Sequence, residues 1–339
     1  MKVTEHPSLK ALNSFGVESS ARLMVTLEQE EDLLTLPRFN PDTDVLLGGG
    51  SNVLFASDVP GTILLNRLQG RSIVRQDSSH AWVDAGAGEN WNELVHWTLE
   101  NGLSGLENLT MIPGLAGAAP IQNIGAYGVE LASVLDSVTA WDMDRAIWTV
   151  FSAKDCQPAY RDSYFKTVEP DRFFITSIRL RLDRRFQPRL DYAGLAKELD
   201  AMGISQPNAL DVSHAVTRLR RRKLPDPAKL GNAGSFFKNP LLGHAAASAL
   251  AKRYPDLPQW QATEGSSKCS AAWMIEHCGF KGCRAGDAGV SEKHALVMVN
   301  HGNASGAEIL ELAREIQSTV RNEFDIELET EPKIIDFRA

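Results

Sequence analysis

Leu47-Gly48-Gly49-Gly50-Ser51-Asn52-Val53-Leu54 decides which class of fold the chain can adopt. Asp44-Val45-Leu46-Leu47 reads as a short buried strand before the glycines, and Val53-Leu54-Phe55 as a second strand after them. The loop therefore joins strand to strand rather than strand to helix. A dinucleotide fingerprint beginning at Gly48 requires a further glycine where the chain has Val53. A P-loop requires Lys followed by Ser or Thr after its second glycine, and that pair is absent. Rossmann and P-loop readings are thereby excluded. Three consecutive glycines still offer unhindered N–H groups, a nest suited to a phosphate or pyrophosphate. A plain turn is the local alternative.

Working outward, Ile63-Leu64-Leu65 and Ala81-Trp82-Val83-Asp84-Ala85 continue a strand-turn pattern. A helix is expected from near Asn90, with Trp91, Leu94, Val95 and Thr98 on one face and Gly102 as its stop. A second glycine-rich stretch follows from Ile112 to Gly128, nearly free of charge and open to close approach. Strands are expected at Val134–Asp142, Ile147–Phe151, Phe173–Leu182 and Ala295–Asn300, and helices at Val212–Arg222, His244–Tyr254 and Cys269–Cys278. Ser305 and Glu308 form a capping box for a helix whose stripe is Ile309, Leu312, Ile316 and Val320. A last strand is placed at Glu327–Glu331, with Pro332 after it. Helices and strands do not alternate strictly, so the class is α+β, with a boundary near Pro225 and Pro227.

The third glycine-bearing stretch is Gly231-Asn232-Ala233-Gly234-Ser235-Phe236-Phe237-Lys238-Asn239-Pro240. It offers one hydroxyl, two aromatics to exclude water, and two polar contacts. Upstream runs Arg218-Leu219-Arg220-Arg221-Arg222-Lys223, a solvated helix face or an anion-attracting patch. Ser235 is no elbow nucleophile, because Ala233 and Phe237 stand where that motif has glycine. Its hydroxyl can instead give a proton to a strongly basic carbanion. A turn before a buried Phe-Phe strand is the alternative. Arg161, in Tyr160-Arg161-Asp162-Ser163, can fork a carboxylate or pair with a nearby acid.

At 339 residues the chain is long for one core and suggests two or three domains. A hydrophobic fraction of 43% and a net charge of −8 describe an ordinary globular protein and speak against a general nucleic-acid binder. No segment approaches a membrane span or a signal peptide, which points to a cytoplasmic protein. Cys156, Cys269, Cys278 and Cys283 lack metal or disulfide spacing and read as reduced, incidental thiols, so no metal is expected.

Taken together the stretches resemble the UDP-N-acetylenolpyruvoylglucosamine reductase family, flavoenzymes of peptidoglycan precursor synthesis. The resemblance runs in order through Leu47–Leu54, Ile112–Gly128, Tyr160–Ser163, Lys223-Leu224-Pro225-Asp226-Pro227, Gly231–Pro240, His294-Ala295-Leu296-Val297 and Leu328-Glu329-Thr330-Glu331. Pro120-Ile121-Gln122-Asn123, the region of Tyr192, and Tyr254 are similar to the type I branch. The resemblance implies a two-domain FAD-binding fold of the vanillyl-alcohol oxidase/PCMH type plus a C-terminal α+β substrate-binding domain. Residues 1–70, with a strand from 326–339 returning to them, and residues 71–218 would hold the flavin, and 219–325 would cover the substrate.

By the same resemblance FAD, held without a covalent bond, lies against Gly48, Gly49, Gly50, Ser51, Asn52, Val53, Ile112, Pro113, Gly114, Ala118, Ala119, Ile121, Gln122, Asn123, Gly125 and Tyr127. NADPH reduces the flavin, hydride passes from N5 to C3 of the enolpyruvyl ether of a UDP-sugar, and Ser235 protonates C2. Arg161 and Glu331 stabilise the enolate-like species, while Tyr160, Tyr192, Lys223, Asn239, Tyr254 and His294 contact substrate, Lys223 and Tyr192 at the diphosphate. The expected product is UDP-N-acetylmuramate, the expected state a monomer without nucleic-acid or membrane partners. Pro332, Asp287 and Ala118-Ala119 depart from the family pattern. A flavin oxidase of the same fold with covalently tethered flavin is one rival, though neither His nor Cys lies between Asp44 and His80 or within Ile112–Gly128 to tether it. An RNA-binding module using Arg218–Lys223 is the other, though aromatics are not interleaved there.

Overall fold

The computed structural model describes residues 1–192, 194–262 and 265–338. Its contacts divide the chain into two compact units, one of Met1–Pro7, Ala21–Gly50 and Val59–Arg222, the other of Ser8–Ser20, Ser51–Asp58 and the chain from Lys223 on.

In the first unit, Val45–Leu47 and Ala21–Leu27 pair in parallel with the two sides of Val59–Asn66, and Lys2–Glu5 adds antiparallel to Ala21–Leu27. A five-stranded antiparallel sheet has the order Ile147–Ser152, Leu135–Asp142, Phe173–Asp183, His80–Gly86, Arg71–Gln76. Strict alternation along His80–Gly86 turns Ala81, Val83 and Ala85 inward, the period-2 signature of a sheet with one buried face. Helix Trp91–Glu100 covers that face with Trp91, Leu94, Val95 and Leu99. Asn90 caps it by accepting from the Glu93 N–H at 3.1 Å, and Gly102 follows it at φ +72°. Val25, Leu27 and Leu64 of the first sheet share a core with Trp141 and Phe174 of the second.

Helix Leu195–Ala201, not anticipated from sequence, packs Leu195 and Leu199 against Val212, Ala215, Val216 and Leu219 of helix Ala209–Lys223. Arg218 and Arg222 both close on the buried Glu198 carboxylate, Arg218 at 2.8 Å. Those two arginines of the basic run thus compensate a charge taken out of water.

In the second unit Leu241–Gly243, Ser266–Cys269 and Gln259–Gln261 form one antiparallel sheet, and Arg284–Ala285, Ala288–Val290 and Met298–Asn300 another. The helix expected at Cys269–Cys278 is shorter, Ala271–His277, because Cys269 ends a strand and Ser270 caps the helix by accepting from Trp273 N–H. The strand expected at Ala295–Asn300 begins only at Met298, since the preceding residues fold as a loop. The last strand is also displaced. Glu327–Glu331 makes one isolated bridge, Thr330 to Phe237, and the paired strand is Lys333–Ile335, parallel to Val53–Phe55. Pro332 sits in the bend before that strand, where a missing N–H is tolerated.

Helix Gly306–Phe324 buries Ile309, Leu312, Ile316 and Val320 as its stripe predicts. Ser305 Oγ accepts from Glu308 N–H at 3.2 Å, while Glu308 Oε2 accepts from Ser305 N–H at 2.7 Å. Ser305→Ala is expected to cost about 1 kcal/mol, read as a lower urea midpoint at unchanged slope.

Candidate active site

The first unit brings the two earlier glycine stretches together. A Cβ on Gly49 would stand 3.2 Å from Gly114 Cα, and one on Gly48 would stand 3.7 Å from Leu115. Gly114 O accepts from Trp91 N–H at 3.0 Å, and Gly117 N–H donates to Ala87 O at 2.9 Å, which pins the second loop beside residues 87–91. Gly117 has no room for a side chain, because its Cβ would lie 2.4 Å from that of Ala87. Two close backbones lacking side chains form a cradle of the kind a dinucleotide pyrophosphate and flavin ring need, so the residues present fit FAD.

Downstream, the chain is held in uncommon conformations. Met111, Asn123, Tyr127 and Arg161 all have positive φ without being glycine. Such strain persists only where the surroundings fix it. Asn123 does part of that fixing: Nδ2 donates to Ala159 O at 3.1 Å and to Glu130 Oε2 at 2.9 Å, and Oδ1 accepts from Ala132 N–H. Ser163 Oγ donates to Ile121 O at 2.6 Å. Arg161 Nη2 donates to Gly125 O at 2.7 Å, and its guanidinium lies 5.5 Å from the Tyr160 ring centre. A Cβ on Gly125 would fall 2.9 Å from Glu130 Cγ and 3.0 Å from Arg161 Nη1, so a side chain there would press on the guanidinium. Tyr192 meets Tyr127 edge-on at 5.0 Å.

Arg220 was missed by reading Arg218–Lys223 as a single charged run. It lies four residues from buried Val216, hence on the inward side of its helix. Its guanidinium is held below the usual arginine range by burial, with Arg161 adding to the effect and Tyr127 opposing it. Burial raises the Tyr127 phenol.

The second unit joins Ser235, Glu331, His294 and Asn52. Phe236 O accepts from Glu331 N–H at 2.8 Å, and Lys238 N–H donates to Glu329 O at 2.9 Å. Asn52 Nδ2 donates to Glu331 O at 3.2 Å, and Asn52 O accepts from Lys333 N–H at 3.0 Å. Gly234, at φ +72°, turns the chain, and its N–H donates to Asn232 Oδ1 at 3.0 Å. Ser235 is half-buried, and among the described residues its hydroxyl makes no hydrogen bond. Phe236 and Phe237 are core residues rather than a wall of the site, 0% and 1% exposed. The turn before a buried Phe-Phe pair and the presented hydroxyl are both present.

The remaining candidates of this unit each have partners of their own. Asn239 Oδ1 accepts from Ala271 N–H at 3.0 Å, and Lys238 Nζ pairs with Glu329 at 2.8 Å. His294 is held below the usual histidine range by burial, and further by Lys223 and Lys281, with Glu276 opposing. Tyr254 donates its hydroxyl to Glu323 Oε1 at 2.6 Å and packs on Trp273, His277 and Phe324. Asp287 proves to be a loop brace, accepting from Arg284 Nη2 at 2.7 Å and Asn303 N–H at 2.9 Å.

All four cysteines are free thiols. Burial pushes Cys156 up to about 12, so near pH 8 it stays protonated. Alkylation at pH 8 is expected to label Cys156 only after denaturation, as peptide mass mapping would register. Among the described residues no helix is long and apolar enough to cross a membrane.

Residues 21–150 match the model of an FAD binding domain, and residues 226–335 that of the UDP-N-acetylenolpyruvoylglucosamine reductase C-terminal domain. The chain is 47% identical over 337 residues to the UDP-N-acetylenolpyruvoylglucosamine reductase of Pseudomonas aeruginosa, covering 98% of this chain and 99% of that one. It is 47% identical over 333 residues to the enzyme of that name from Burkholderia lata, covering 97% and 95%. The crystal structure of the Thermus caldophilus reductase superposes with a TM-score of 0.68 at 27% identity, covering 99% of this chain and 100% of that one. With the α+β flavin-binding architecture and this agreement over nearly its whole length, the chain belongs to the UDP-N-acetylenolpyruvoylglucosamine reductase family.

Proposed function

We propose that the chain reduces the enolpyruvyl ether of UDP-N-acetylglucosamine to UDP-N-acetylmuramate with NADPH as reductant, and that Ser235 supplies the proton. Bound FAD supplies the hydride. The observation that carries the reading is the half-buried Ser235 hydroxyl, which has no hydrogen bond among the described residues and stands one residue from the Phe236 peptide bonded to Glu331. A serine is too weak an acid to protonate anything but a strongly basic carbon, which is what an enolate-like species offers at C2.

Arg161 and Glu331 are assigned to the negative charge developing on the carboxylate side of C2. Preorganised groups of this kind are typically worth about 3–4 kcal/mol each. Arg161 is supported in that role by the Gly125 carbonyl, which takes one guanidinium N–H and orients the rest. Lys223 and Tyr192 are assigned to the diphosphate, and Tyr160, Asn239, Tyr254 and His294 to other parts of the substrate. Gly48–Val53, together with Ile112, Pro113, Gly114, Ala118, Ala119, Ile121, Gln122, Asn123, Gly125 and Tyr127, are assigned to the flavin.

Anaerobic titration of the purified yellow protein tests the reading. NADPH is expected to bleach the visible absorbance, and the enolpyruvyl UDP-sugar to restore it stoichiometrically. Failure of the substrate to restore the colour would overturn the proposal. Acid precipitation is expected to release all the colour, whereas a covalently tethered flavin would stay in the pellet.

A further inference from the structure

His294 is bonded to the backbone that carries Ser235. Its Nδ1 accepts from Leu296 N–H at 3.2 Å, and Leu296 O accepts from Phe236 N–H at 2.7 Å. Phe236 follows Ser235 directly, and its own carbonyl takes the Glu331 N–H at 2.8 Å. Leu296 is therefore gripped at both its N–H and its C=O, by the imidazole on one side and the serine loop on the other. Ala295, Leu296, Val297 and Phe236 are all buried, so no water is at hand to replace a lost acceptor.

We propose that His294 is a positioning residue for Ser235, setting the place of the serine hydroxyl through Leu296. This rests on the reading of Ser235 as proton donor and goes beyond the assignment of His294 to substrate contact. The bond spans two residues, side chain to backbone, which is the geometry an Asn or Asp makes in an Asx turn. The ring can accept at Nδ1 only while that nitrogen is unprotonated, which leaves Nε2 as the N–H donor. Burial and the two lysines that face it, Lys223 and Lys281, hold it neutral. The one acid that opposes them, Glu276, is itself paired with Lys281 at 2.9 Å. Protonating the ring would set an N–H against the Leu296 N–H and release the grip.

Proton delivery tolerates little misplacement, since a shift of about 1 Å can cost about 10²-fold. His294→Leu removes the acceptor, whereas His294→Asn keeps an oxygen two residues from Leu296 and does not titrate. The two half-reactions are measured separately by stopped flow on the FAD-loaded full chain, with NADPH and then with the enolpyruvyl UDP-sugar at saturation. His294→Leu is expected to slow reoxidation by about 10–100-fold and leave flavin reduction within about twofold. His294→Asn is expected to recover most of that loss. The native protein is expected to lose reoxidation rate in an acid limb below the ordinary histidine value of about 6.5, and His294→Asn to abolish that limb.

Equal loss in both variants, or a loss confined to KM, would overturn the proposal. So would an acid limb that persists in His294→Asn, a readout that remains even if His294→Leu does not fold. Ser235→Ala serves as the reference. If it leaves reoxidation untouched, the proton-donor reading fails instead, and the effect of the His294 variants on the loop is judged apart from it.

Discussion

Ser235→Ala is expected to leave reduction of the flavin by NADPH nearly unchanged and to slow reoxidation by the enolpyruvyl substrate by about 10²–10⁴-fold, the usual worth of a placed general acid. The asymmetry follows from where the hydroxyl stands. Only the second half-reaction generates a basic carbon. The core contacts of the loop come from Phe236 and Phe237, which the substitution does not touch. Ser235 itself is half-buried with no hydrogen bond among the described residues, so losing its oxygen strands no buried partner. Rapid-mixing absorbance at the flavin band reads both steps in one sample. Equal loss in the two steps would mean that the substitution disturbs the fold or the flavin, and would remove Ser235 from the role of donor.

Gly231→Ala is expected to damage the fold severely, although alanine is the smallest side chain that could replace it. Its Cβ would lie 2.1 Å from the carbonyl oxygen of Phe15 and 3.3 Å from Asn300. These are backbone and braced neighbours: Asn300 N–H donates to Gly231 O at 2.8 Å, and Asn300 Nδ2 donates to Phe15 O at 3.0 Å. Neither can step aside without giving up a buried hydrogen bond. The expected cost reaches or exceeds about 3 kcal/mol, seen as a shift of the urea midpoint, and reoxidation by substrate should fall with it. Gly243→Ala is the matched control. Gly243 has an ordinary extended backbone and nothing within 4 Å of a new Cβ, so the change should cost no more than the loss of a glycine N-cap, about 1 kcal/mol or less, and move the midpoint far less. If the two variants unfold alike, the close approach at Gly231 is not what requires glycine there.

Much of the fold was readable because its strands and helices announce themselves locally. The alternation in His80–Gly86, the Asn90 cap, Gly102 and the Ser305–Glu308 box each act within a few residues. What escaped depends on partners far away in the chain. Glu327–Glu331 has the composition of a strand, but its neighbours offer only one bridge, and the ladder goes to Lys333–Ile335 because Val53–Phe55 lies there. Helix Leu195–Ala201 is short and weakly patterned, and it is held by Arg218 and Arg222 reaching its Glu198. The same bonds tie part of a run that reads as a solvated or RNA-binding face to a buried carboxylate of its own unit, while Arg218 and Arg222 themselves stay exposed.

The glycine stretches could be read for what they permit, and not for what they face. Gly49 against Gly114 and Gly125 against Arg161 are tertiary facts. Grouping Ser235, Arg161 and Glu331 by role came from the family resemblance. Spacing alone gave each an ordinary alternative. His294 shows the limit most plainly, because its bond to Leu296 is local while its consequence runs through Phe236, far upstream in sequence.

Asn52 and Glu331 are bonded across 279 residues of sequence, and Val53–Phe55 gains its partner strand from the same late segment. During synthesis the early segment must therefore wait, its strand edge uncovered, for the ribosome to deliver the rest. At about 5–20 residues per second that delay is tens of seconds, long enough for a chaperone to find and shield the waiting edge.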